Sequence, residues 1–168
     1  MGSLFENNVF EFGFMHGQRV ADFGAGAGHY TLPLSRAVGS EGRVVALDID
    51  EVSLVRLKNL ARQAGLNNLE IMVGDIEKTE GSNLREASLG GVLLATTLSH
   101  LRDRESAVRE VWRVLKEKGR AVVVEGYPAA QKSSLPSEEV KTLFEKVGFK
   151  YERTFDAEPH HYGLIFYK

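Results

Sequence analysis

The sequence predicts an α/β fold: a seven-stranded, mostly parallel sheet between two layers of helices, with one antiparallel strand near the C-terminus. Three observations lead there. Short β-branched runs alternate with helix-period patterns along the chain. Strand–helix units along the first five strands require right-handed crossovers, which cover both faces of the sheet. The chain then closes with Lys150–Phe155 and Tyr162–Tyr167 and no helical pattern between them, a connection that permits antiparallel pairing but no parallel crossover.

Each element has its own signal. Arg19–Phe23 (RVADF) reads as the first strand, followed by a glycine-rich turn and a helix from about His29 to Val38. Arg43–Asp48 (RVVALD) is the second strand. The helix after it places Leu54, Leu57, Ala61 and Ala64 on one face, with Asp50 as its cap and Gly65 as its stop. Glu70–Val73 and Gly91–Ala95 are the third and fourth strands. From about Arg104 to Lys116, Val108, Val111, Trp112 and Leu115 fall at i, i+3, i+4 and i+7. Arg120–Glu125, apolar at consecutive positions, reads as a fifth strand buried on both faces. Pro128–Pro136 is a polar connector. Ser137 then caps a helix with the core face Val140, Leu143, Phe144 and Val147, and Gly148 ends it so that Phe149 folds back on Phe144. Residues 1–168 are read as one domain, with 1–18 a short N-terminal helix or lid and 19–168 the sheet core.

Composition narrows the classes. The 21 basic and 23 acidic residues give a net charge of −2, so overall charge holds no nucleic acid. With no cysteine, disulfides, thiolate metal sites and cysteine nucleophiles are excluded, and no metal site is expected. The N-terminus carries no basic region followed by an apolar stretch, and no run approaches the ~20 apolar residues of a membrane span. A cytoplasmic protein without membrane contact is the expectation.

In open α/β sheets, ligands bind at the carboxyl ends of the strands. The first strand ends in Asp22-Phe23-Gly24-Ala25-Gly26-Ala27-Gly28-His29, where Gly24 and Gly26 allow a tight turn with exposed amides ahead of a helix N-terminus. The spacing is G-x-G-x-G, and His29 stands where a dinucleotide fingerprint wants its third glycine. The second strand ends in Asp48, 20 residues beyond Gly28. A carboxylate there accepts from both hydroxyls of a ribose; Asp50 competes for that role but suits a helix cap better. The third strand ends in Gly74-Asp75-Ile76, where Asp75 can accept from an adenine amine while Ile76 packs on the ring.

These stretches carry a resemblance. RVADFGAGAGH (19–29), RVVALDID (43–50), MVGDI (72–76) and LSHLRDRESAVREVWRVLKEKG (98–119) resemble the class I S-adenosylmethionine-dependent methyltransferases, particularly the ubiquinone/menaquinone-biosynthesis type. The resemblance implies a Rossmann-like three-layer sandwich that binds S-adenosylmethionine and releases S-adenosylhomocysteine. It implies that Gly24, Ala25 and Gly26, following Phe23, lie against the methionine part and ribose, with Asp22 at the amino group. It further implies Asp48 and Ile49 at the ribose, Gly74, Asp75 and Ile76 at the adenine, and Thr96 along the methionine. The chain departs from the family at Gly90-Gly91, where an acidic residue often opens the fourth strand, at Glu117-Lys118-Gly119 before the fifth, and in its short leading segment. That last departure suggests a more open site, a partner-supplied lid or weaker activity, and a homodimer is a further expectation.

Methyl transfer needs alignment first and a base second. His100, beyond the fourth strand, is the candidate base, with a packing role as its competitor. His160 and His161 are adjacent and face opposite sides of a strand. Without an Asn/Asp-Pro-Pro-Tyr-like segment or a cysteine, base-amino, 5-methylcytosine and arsenite methylation are disfavoured; the resemblance to the small-molecule branch implies a small-molecule acceptor, methylated on oxygen, nitrogen or carbon. Phe5, Phe10, Phe12 and Phe14 pack a leading helix or form an apolar lip for a hydrophobic acceptor. A non-catalytic cofactor-binding subunit and a nicotinamide-dependent oxidoreductase are the competing functions.

Overall fold

The computed structural model describes residues 4–128, 134–157 and 159–168. Its strands are β1 (Arg19–Phe23), β2 (Arg43–Asp48), β3 (Leu69–Val73), β4 (Leu89–Ala95), β5 (Leu115–Gly126), β6 (Lys150–Asp156) and β7 (His161–Tyr167). They form one sheet in the order β3-β2-β1-β4-β5-β7-β6. β7 is antiparallel to both its neighbours, and every other pairing is parallel. The helices are α1 (Leu4–Glu11), α2 (Thr31–Val38), α3 (Glu51–Gln63), α4 (Arg104–Val114) and α5 (Ser137–Val147).

Alternation along the parallel strands builds two cores. Val20, Val44, Leu93 and Val122 meet Phe12, just past the end of α1, and Leu34 of α2, and Ala46 meets Leu54 and Leu57 of α3. On the opposite face Val45, Val92 and Val123 meet Val108 and Val111 of α4 and Phe144 of α5. Phe144 stacks on Phe166 at 4.4 Å between ring centroids and touches Phe149 at 5.1 Å. The turn at Gly148 (φ 122°) that allows this contact is the expected one.

Several local expectations are corrected. α2 starts at Thr31, two residues late, because the glycine loop extends through Tyr30. α4 stops at Val114 because Leu115 joins β5 opposite Leu89. The carbonyls freed at that helix end are capped by the ammonium of Lys168, 2.8 Å from the oxygen of Trp112 and 3.0 Å from that of Leu115. Ser137 is inside α5, whose cap is Pro136 without a side-chain bond, and Ala64 is exposed rather than part of the α3 core face. Asp50 does cap α3, accepting from Val52 N at 3.0 Å. Of the leading phenylalanines, Phe12 is fully buried and Phe10 is 79% exposed, whereas the side chain of Phe5 and residues 129–133 of the connector lie outside the described residues.

Gly90-Gly91 has a packing reason. A Cβ at Gly91 would run into the ring of Phe14, and one at Gly90 would sit 3.1 Å from the Gln18 side chain. The segment leading into β1 therefore lies across the start of β4, where a larger residue would displace it. Gly91→Ala should lower stability by about 1–3 kcal/mol through overpacking. The double variant with Phe14→Ala should lose less than the two single losses combined, read by urea unfolding as a double-mutant cycle.

Candidate functional site

Strand order reverses between β1 and β4, and two hollows open at their carboxyl ends. One, of about 220 Å³, is lined by Asp48, Ile49, Asp75, Ile76 and His100 among others. The other, of about 270 Å³, is lined by Asp22, Ala25, His29, Tyr30 and His161 among others. Gly24 and Thr96 border both, so the two are halves of one crevice. Wider hollows of about 570 and 700 Å³ lie around Asn68, at the amino ends of the strands, and between α4 and α5. Neither reaches a strand's carboxyl end.

The glycine loop is closed on β2. Leu47 O accepts from Gly24 N at 2.8 Å and from Ala25 N at 3.1 Å, and Asp48 Oδ2 accepts from Gly26 N at 2.8 Å. The amides expected to be exposed are thus engaged, and a pyrophosphate would find none of these three free. Gly24 (φ 81°) is required twice over, since a Cβ there would also sit 2.5 Å from Thr97 Oγ1. Gly26 (φ 49°) faces open space, the cradle that a bound group would fill.

The acidic residues converge as the sequence suggested. Asp48 Oδ1 accepts from Asp50 N at 2.9 Å, so each of its oxygens is held by one amide and keeps a second lone pair. Asp50 itself turns away to its cap and to Ser53. Asp75 Oδ1 accepts from Glu77 N at 3.1 Å, and Oδ2 pairs with Lys78 at 3.1 Å. Ile49 stands 72% exposed at the hollow's edge, and Ile76 is buried in its wall. Phe23 is the exception among the expected residues: its ring is fully buried in the core, and only its backbone leads into the loop.

Asp22 is buried, and Thr31 Oγ1 donates to its Oδ2 at 2.6 Å. Burial pushes its carboxyl from 3.8 up to about 6, against the lowering pull of the Thr31 bond and with help from the Asp48 charge. An acid so placed accommodates a cationic group. Thr96 sits in the left-handed region (φ 51°), strained for a β-branched residue, with its N–H donating to Val124 O at 2.7 Å. His100 belongs to the half of the crevice that holds Asp48 and Asp75. The turn carrying it is held from behind by Glu125, which accepts from Ser99 N at 3.2 Å through Oε1 and leaves Oε2 buried without a partner among the described residues. Burial raises the Glu125 carboxyl as well.

Sequence reasoning missed Glu77, Thr97 and the side of the crevice that His161 occupies. Glu77 Oε1 accepts from Arg102 N and Asp103 N, both at 2.6 Å, tying the loop after β3 to the turn after β4. Thr97 Oγ1 donates to Phe23 O at 2.9 Å. No spacing signals contacts between elements so far apart in the chain.

Residues 15–159 match the family model described as a methyltransferase domain. The chain is similar to the ubiquinone/menaquinone biosynthesis C-methyltransferase UbiE of Cronobacter sakazakii, 32% identical over 117 residues that make up 67% of this chain and 44% of that protein. It therefore spans less than half the length of the curated relatives it matches. Among solved structures it is similar to a SAM-dependent methyltransferase from Aquifex aeolicus, with a TM-score of 0.89 and 24% identity over 97% of this chain and 88% of that one. It is also similar to the complex of a putative methyltransferase with the Trm112 methyltransferase activator of Haloferax volcanii, with a TM-score of 0.81 and 13% identity over 96% and 87%. Among the described residues no helix is long and apolar enough to cross a membrane.

Asp22 has a consequence measurable without any ligand. Because its folded pKa, about 6, lies above its unfolded value, it contributes stability that is full below about pH 4 and lost as pH rises through 6. Asp22→Asn keeps an acceptor for Thr31 and removes the titration. Urea unfolding should show the variant gaining on the wild type by roughly 3 kcal/mol between pH 4 and pH 8, at ~1.4 kcal/mol per unit.

Proposed function

The chain belongs to the class I S-adenosylmethionine-dependent methyltransferases, and from that premise we propose that it transfers the methyl group of S-adenosylmethionine to a small-molecule acceptor. The observation that carries the proposal is the glycine loop closed on β2. Its three engaged amides are taken before any phosphate could use them, while the crevice offers acids and apolar walls suited to a nucleoside joined to an amino acid. The same feature weighs against a nicotinamide dinucleotide.

The residues fit such a ligand. Asp48 would accept from the ribose hydroxyls with its remaining lone pairs. Ile49 and Ile76 would sandwich the adenine, with Gly74 leaving room and Asp75 accepting from its amine. Gly24, Ala25 and Gly26 would pass beneath the ribose and methionine chain. Asp22 would pair with the ammonium, and Thr96 would border the methionine. His100, on the adenosine side, would serve there as a wall. S-Adenosylmethionine supplies a methyl group already activated on a sulfonium, so the protein's share is alignment, exclusion of water and handling of the acceptor's proton. The name of the matched relatives makes a quinone precursor the first acceptor to try.

Calorimetry tests the reading. S-Adenosylhomocysteine should bind and NAD should not; the reverse would overturn the proposal. Asp48→Ala should weaken S-adenosylhomocysteine ten- to a hundredfold, the range expected when hydroxyls lose their partner at ~1–3 kcal/mol. Wild-type affinity should also fall as pH drops through 6, by up to about tenfold per unit, because a protonated Asp22 no longer pairs with an ammonium. Asp22→Asn should bind weakly at both ends of that range and show no such dependence.

A further inference from the structure

His161 is the first residue of β7, opposite Gly126 of β5. Its neighbour Tyr162 packs into the core on the α4–α5 face. Strand alternation therefore turns His161 to the other face, where it lines the 270 Å³ hollow with Asp22, His29 and Thr96. The hairpin that presents it is fixed by backbone bonds: Tyr127 N donates to His160 O at 2.8 Å and Ala157 N to His161 O at 3.2 Å. His160 is held in the left-handed region (φ 69°), a strained conformation for a residue other than glycine.

The ring is fixed too. His161 Nδ1 lies 3.0 Å from Pro159 O. A carbonyl only accepts, so Nδ1 is the donor of that bond, and Nε2 is left as the ring's acceptor. A histidine whose tautomer is set by a backbone carbonyl, standing in the crevice half that holds Asp22, is arranged to take a proton.

We infer that His161 is the proton acceptor for the methyl acceptor, and that this acceptor is a molecule bearing a hydroxyl group. The inference rests on the cofactor reading proposed above. The hydroxyl proton passes to His161 Nε2. The electron pair it leaves on the oxygen forms the new bond to the methyl carbon. The carbon–sulfur bond breaks, and its pair returns to sulfur as the neutral thioether. The proton then leaves the imidazolium for water. The groups facing His161 across the hollow are Asp22, His29 and Tyr30; Tyr127 and Asp156, whose hydroxyl and carboxylate meet at 3.4 Å, lie with Tyr162 on the other face of the sheet.

Sinefungin, which carries an amino group on carbon where S-adenosylmethionine has its methylated sulfur, is the discriminating probe. By calorimetry, His161→Phe should weaken sinefungin at least tenfold more than it weakens S-adenosylhomocysteine, and His161→Gln, which retains an acceptor, should restore part of the loss. Equal losses for the two ligands would overturn the inference. Failure of the wild type to bind either ligand would instead overturn the cofactor reading beneath it. Should His161→Phe not fold, ¹⁵N spectra of the wild-type ring decide: a protonated Nδ1, with Nε2 shifting on addition of sinefungin and not of S-adenosylhomocysteine, supports it. A ring protonated at Nε2 overturns it.

Discussion

The crevice depends on the bonds that close the glycine loop onto β2. Parallel register places Phe23 beside Leu47, so the chain leaving β1 runs directly past the last carbonyl and the carboxylate of β2. Three successive amides are taken there. The loop can make this turn only with left-handed glycines at 24, 26 and 28, and Thr97 and Leu57 fill the space that side chains at 24 and 28 would need. Asp48 thereby shapes the loop through one oxygen and holds Asp50 N through the other while lining the crevice.

Around that closure the fold accepts local costs. Asp22 is buried beside the Asp48 charge, and Glu125 carries an oxygen with no partner among the described residues. Thr96 is twisted into a conformation suited to glycine. Each sits at or just beside the carboxyl end of a strand, and none improves the core, where apolar residues would pack at lower cost. Perturbed acids and a strained backbone gathered at a topological switch point are the pattern of a site rather than of a scaffold.

The strands, their order of appearance and the three acids at successive strand ends were legible because each rests on a short-range rule: alternation of polarity, a glycine after a helix, a carboxylate where a strand stops. Asp50 as the α3 cap and Gly148 as the α5 stop follow from residues within one turn of each other. What failed locally failed for a distant reason. α4 ends early because Leu115 pairs with Leu89 and because Lys168, the last residue of the chain, reaches the freed carbonyls. The glycine pair at the start of β4 is explained by Gln18 and Phe14, 72 and 77 residues earlier.

The sequence by itself determined the sheet, the helices that flank it, and the neighbourhood in which Asp22, Asp48 and Asp75 meet, since these follow from periodicity and from what a parallel sheet does with its strand ends. Only the tertiary structure decided which amides are free, which half of the crevice receives His100, and that His161 faces Asp22. Hydrogen bonds between elements and the facing of a strand residue depend on partners in other strands, Leu47 for the glycine loop and Gly126 for His161, and no local pattern encodes them.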